Sequence, residues 1–157
     1  MPLIHLTTFI AAPRERVFDL SRSVSLHRLS MQEYDETVVA GVITGLLNLG
    51  DTVTWQAKHL GKKRLLSVKI TDLQAPLQFT EEMLKGDFRE IRHEHHFKAI
   101  ENGTLMIDLF HFETPYGFLG RLVNRFYLTA YMCRLLEKRN VILKSYAETE
   151  LWKQVLV

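Results

Sequence analysis

The stretch FREIRHEHHFKAIENGTLMIDLFHFE, residues 88–113, decides the architecture. Its two runs, 88–100 and 104–113, alternate apolar and polar side chains about Asn102-Gly103, a pair that joins antiparallel strands through a tight turn. The same grammar continues upstream, where Gly41, Gly45, Gly50, Gly61 and Gly86 punctuate runs rich in Val, Thr, Ile, Phe and Trp. It predicts strands at 35–42, 51–60, 63–74 and 77–84, with Leu60-Gly61-Lys62 as one turn. Further upstream, residues 3–11 read as a strand closed by Ala12-Pro13. Pro13 suits a first helical turn, and Val17, Phe18 and Leu20, then Val24, Leu26 and Leu29, mark two short helices broken across 21–25.

Downstream of Pro115 the period changes. Leu119, Leu122, Val123, Phe126, Ala130, Cys133, Leu136, Asn140 and Leu143 fall at three- and four-residue steps, which predicts a terminal helix of about 30 residues. The expected fold is α+β: a seven-stranded, curved antiparallel sheet wrapped around a long C-terminal helix, with two short helices between the first and second strands. One domain spans 1–157. A curved sheet around one helix is hard to fill and leaves an apolar cavity between the two.

Composition narrows the class. Of 157 residues, 46% are hydrophobic and 24% charged, which is ordinary for a soluble domain that needs neither disulfide nor metal to fold. A net charge of +2 without a basic block gives no reason to expect nucleic acid. The single cysteine, Cys133, fits a reducing compartment. The first residues lack a basic region followed by an apolar one, and no apolar run approaches the ~20 residues of a spanning helix, so the expected address is the cytoplasm.

Because residues two apart share a strand face, the inward set follows from the apolar positions. Val53, Trp55 and Ala57 carry His59 inward; Ile91 and Phe97 carry His93 and His95; Phe79 and Met83 carry Glu81; Met106, Phe110 and Phe112 carry Asp108. For 104–113 the opposite face, Leu105, Ile107 and Leu109, is equally apolar and leaves the choice open. Buried carboxylates demand partners, so Asp108 and Glu81 are expected beside His59, His93 or His95. Such pairs orient a bound ligand, support the sheet, or move protons. His-x-His is also a conceivable metal motif, but the expected function needs neither metal nor cofactor.

The order of elements resembles the helix-grip fold of the START-like, or SRPBCC, superfamily of plant pathogenesis-related allergens, lipid-transfer domains and polyketide cyclases. The residues from Ala11 to Phe18 look like that superfamily's approach to its first helix. The runs Gly50 to Gly61, Lys85-Gly86-Asp87-Phe88 leading to Arg92-His93-Glu94-His95-His96-Phe97, and Thr114-Pro115-Tyr116-Gly117 resemble a bacterial branch related to polyketide cyclase/dehydrase-like proteins. The resemblance covers the whole chain and implies a ligand cavity in a superfamily of both carriers and enzymes.

The expected function is therefore binding of a small, mainly hydrophobic or lipid-like molecule. Trp55, Phe79, Met83, Phe97, Phe110, Phe126 and Ala130 supply the walls, and His59, Glu81, His93, His95 and Asp108 the polar contacts. The alternative is a cyclase or dehydratase-type enzyme using the same five polar residues as acid and base. Leu46, Leu47 and Leu49 of the 41–50 loop read equally as a flap over the cavity mouth or as simple packing onto the first helices, with a dimer contact or a protein-binding edge as further uses. Arg134, Lys138, Arg139 and Lys144, with Glu137 and Glu148, read as a solvated helix face, and Lys58, Lys62, Lys63 and Arg64 as a basic hairpin tip.

Overall fold

The structure, a computed structural model, describes residues 3–114 and 124–156. Seven strands form one antiparallel sheet: β1 (Leu3–Ile10), β2 (Thr37–Gly41), β3 (Thr52–His59), β4 (Lys62–Gln74), β5 (Gln78–Lys85), β6 (Glu90–Ile100) and β7 (Gly103–Glu113), in the order β1-β7-β6-β5-β4-β3-β2. Their bounds differ from the sequence expectation by one or two residues. Helices α1 (Arg14–Ser21) and α2 (Val24–Ser30) follow β1, as expected. The Ser23 hydroxyl accepts from Leu26 N at 3.2 Å and caps α2, a contact worth about 1 kcal/mol.

The terminal helix differs from expectation at its start. A π-helical turn, Asn124–Leu128, leads into α3 (Thr129–Glu148), which has 20 residues; Leu119, Leu122 and Val123 lie outside the described residues. No helix among the described residues is long and apolar enough to cross a membrane.

Two hairpins show how local chemistry sets register. At Leu60-Gly61 both residues take positive φ (55° and 75°), so His59 pairs with Lys62 across a two-residue loop. At the β6–β7 hairpin the loop is Glu101-Asn102: Asn102 takes the left-handed conformation (φ 71°), and Gly103 already pairs with Ile100. Gly103 is required for another reason, since a Cβ there would stand 2.4 Å from Ile10 O of β1. Register shifts at Ser67/Val68 and Ile70/Asp72 mark irregularities in the long strand β4, of the kind that bends a sheet.

The concave side holds two apolar clusters. Under α1 and α2, Phe18 meets Phe79 and Phe97 edge-on at 5.7 and 5.3 Å, together with Ile10, Trp55, Val68, Met106, Leu143 and Ala147. Leu47 of the 41–50 loop is buried in this cluster and Leu49 is exposed, so of the two readings of this loop Leu47 takes the one that packs it on the first helices. The second cluster, Ile4, Ile91, Phe110, Phe112 and Leu136, is ringed by half-buried Leu66, Met83, Phe88, Leu128, Met132 and Cys133.

Candidate functional site

Between the two clusters lies a polar layer. The buried positions of β7 are Thr104, Met106, Asp108, Phe110 and Phe112, which resolves the ambiguous face. Asp108 pairs directly with His95 of β6, and His93 with Glu81 of β5, so strand register alone gathers four ionisable side chains. Asp108 is fully buried, His95 is 1% and His93 5% exposed, while the Glu81 side chain keeps 22% of its surface. The His95 ring stacks on Phe79 of the first cluster at 4.2 Å, and His93 meets Phe110 of the second edge-on at 5.1 Å. The two imidazoles stack on each other at 3.7 Å.

Asp108 is the hub. Its Oδ1 lies 2.8 Å from His93 Nε2, 3.4 Å from His95 Nδ1 and 3.7 Å from Arg139 Nη1, and its Oδ2 accepts from Asn140 Nδ2 at 2.8 Å. Arg139 Nη2 also donates to Ser21 O and Oγ at 3.2 Å, tying α3 to α1. His95 Nε2 faces Glu81 Oε1 at 3.6 Å. Both His95 nitrogens thus sit at ion-pair distance from carboxylates, with no well-formed hydrogen bond.

The charges follow from burial and neighbours. Burial and the adjacent His95 push His93 down to about 4, against the pull of Asp108, so His93 is neutral at pH 7. Burial also opposes charge on His95, but Asp108 and Glu81 outweigh it and raise its pKa. Burial would raise Glu81, yet His95 brings it down to about 2, and Asp108 falls well below the usual carboxylate range through His93 and His95. An ionised Asp108 accepts only, so neutral His93 donates through Nε2 and carries its lone pair on Nδ1.

No family model and no curated protein matches the chain. Solved structures do. A protein of Thermus thermophilus, TTHA0849, superposes with a TM-score of 0.73 at 21% identity over 93% of this chain and 97% of that one. A START superfamily protein from Mycobacterium smegmatis gives 0.68 at 13% identity over 93% and 97%. The ginseng (Panax ginseng) major latex-like protein 151 gives 0.70 at 13% over 94% and 98%. The fold is START-like.

Within this START-like helix grip the sequence-predicted residues divide. Glu81, His93, His95 and Asp108 come together. His59 does not: its Nδ1 is bonded to the Tyr131 hydroxyl at 2.8 Å, beneath Tyr34 at 4.9 Å between rings, and closes the rim between the β3–β4 hairpin and α3. Burial lowers its pKa. Phe110 and Met83 belong to the second cluster, and Trp55, Phe79 and Phe97 to the first. Phe126 and Ala130 are corrected: Phe126 is 71% exposed and Ala130 is exposed, because the inward stripe of α3 runs through Leu135, Leu136, Arg139, Asn140, Leu143 and Ala147. Arg139 is corrected too, from solvated face to buried partner of Asp108. Its position four residues from both Leu135 and Leu143 was the available signal. Asn140 lay on the predicted apolar stripe and its role as a donor to Asp108 was missed. At the basic tip, Arg64 bonds Asp87 at 2.9 Å. A groove of about 670 Å³ between α2 and α3, lined by Leu29, Glu33, Lys138 and Ile142 among others, holds none of the predicted site residues.

Proposed function

We propose that the protein binds a small, mainly hydrophobic molecule at the half-open end of the grip, between the sheet and α3. A START-like fold is one that binds hydrophobic ligands. The observation that carries the placement is the ring of half-buried apolar side chains, Leu66, Met83 and Phe88 from the sheet and Leu128, Met132 and Cys133 from the helical segment, around Phe110 and Phe112. Apolar groups left half-wet on facing elements gain about 25 cal/mol per Å² when a ligand covers them. The polar layer borders this cluster, with His93 and Glu81 available to orient one polar group of the ligand. The test is titration with an environment-sensitive apolar fluorophore, comparing wild type with Met83→Lys and Leu66→Lys. The proposal expects saturable 1:1 binding weakened at least about tenfold by either charge, that is ~1.4 kcal/mol; equal binding by all three proteins contradicts it.

The Glu81–His95–Asp108–His93 chain supports a second reading, acid–base catalysis on the bound molecule. Neutral His93, oriented by Asp108, would accept a proton on Nδ1, and His95 would return one. A compound carried by the purified protein, incubated in deuterated water, should then exchange an activated hydrogen, and His93→Ala should slow that exchange ~100-fold while retaining binding. Absence of exchange in the wild type leaves binding as the function.

A further inference from the structure

We propose that Glu81, His93 and His95 form a binding site for one divalent transition-metal ion of the zinc type, set in the polar layer. Each offers one donor atom, and the three atoms lie within 4.8 Å of one another. His95 Nε2 and Glu81 Oε1 are 3.6 Å apart. That is close to the ~3.4 Å between two ligand atoms that each stand about 2.1 Å from a tetrahedral zinc.

A second observation points the same way. Both nitrogens of His95 lack a hydrogen-bond partner although the side chain is buried, an arrangement that native interiors avoid unless something satisfies the group. Asp108 supplies the outer support that metal-binding histidines use. Its Oδ1 takes the Nε2 hydrogen of His93 and faces His95 Nδ1, which assigns His93 Nδ1 and His95 Nε2 as the donors to metal. Asn140 and Arg139 hold Asp108 in turn. Two imidazoles and one carboxylate, with at least one position open, suit zinc or another first-row divalent ion and exclude the all-oxygen preference of calcium and magnesium. Glu81, the partly exposed member, gives the ion a way in. The site stands on its own residues, whether or not an apolar compound binds beside it.

The test strips the purified full chain with a chelator, then titrates it with zinc chloride by calorimetry and with cobalt chloride by visible absorption. The expected result is one equivalent per chain, an intense low-coordinate cobalt spectrum and a thermal midpoint raised by zinc. Glu81→Gln, which keeps size and shape at the partly exposed edge, should weaken zinc binding about 100-fold, the upper end of the loss seen when even outer supports of a site are removed. The double variant His96→Ala/His111→Ala removes imidazoles of the convex face and should bind zinc as the wild type does. Failure of the wild type to bind stoichiometrically, equal binding by Glu81→Gln, or loss of binding in the convex-face variant overturns the proposal.

Discussion

Asp108 faces two helix residues and two strand histidines with one carboxylate, bonding Asn140 and His93 and standing at ion-pair distance from Arg139 and His95, and its burial makes those contacts consequential. Asp108→Asn keeps the shape but leaves the buried Arg139 without its carboxylate and His95 with Glu81 alone; the expected loss is ~3–5 kcal/mol in urea unfolding, and a loss under about 1 kcal/mol would contradict the hub. His93 gives the protein a pH dependence with a definite sign. Its pKa falls from 6.5 in the unfolded chain to about 4 in the fold, so between those values the unfolded chain takes up a proton that the folded one refuses. The stabilisation is full above 6.5 and is lost as pH falls toward 4. The raised pKa of His95 works oppositely, its stabilisation being complete below 6.5 and lost above. Metal-free protein should lose on the order of 3 kcal/mol from pH 6.5 to 4, and His93→Gln, whose amide nitrogen reaches as far as the imidazole Nε2 and can still donate to Asp108, should show a flatter profile. An unchanged slope in that variant rules out His93 as the source.

Neighbouring positions on α3 and at the β6–β7 hairpin show what strands and helices add to single residues. Lys138 and Arg139 are adjacent and chemically alike, yet Lys138 bonds Glu33 at 2.7 Å on the surface while Arg139 is buried against Asp108. Lys138→Met should leave the unfolding midpoint unchanged, whereas Arg139→Met should cost ~3 kcal/mol or more by leaving Asp108 without its cation. Equal effects would show that Arg139 acts as one more surface charge. Gly103→Ala places a methyl group against Ile10 O and should cost about 1–3 kcal/mol, with faster amide exchange along the β1–β7 pairing. The meander from β2 to β7 was legible because each strand alternates and glycine-bearing turns separate the strands, whereas the pairing of β1 with β7 closes the sheet between residues far apart in the chain. Gly103 carried a signal whose cause lay elsewhere: the turn needs Asn102 at positive φ, and the glycine makes room for β1, a contact between residues far apart in the chain. Arg139 was hidden because charge density on a helix says nothing of which charge faces inward until the helix phase is fixed by its partner.

The whole molecule is a START-like grip whose two apolar clusters are separated by a charged layer. The alternation of β5 and β6 made Glu81, His93 and His95 legible as inward-facing, that of β7 left Asp108 open, and the grouping of the four required the register between strands. His59 illustrates the difference: it faces inward as its strand predicts, yet the hairpin carries it to Tyr131 at the rim. Phe126 and Ala130 fit the helical period and still face out, since α3 turns Leu135 and Leu136 toward the sheet instead. The central claim is that the half-open end holds an apolar molecule. Native mass spectrometry of the protein purified from its own host, compared with the same sample after denaturation, tests it most directly. The account predicts a mass excess of one small apolar compound per chain, which is released on denaturation and much reduced in Met83→Lys. Wild type and Met83→Lys both flying at the bare chain mass, with no uptake when apolar compounds are supplied, would contradict it.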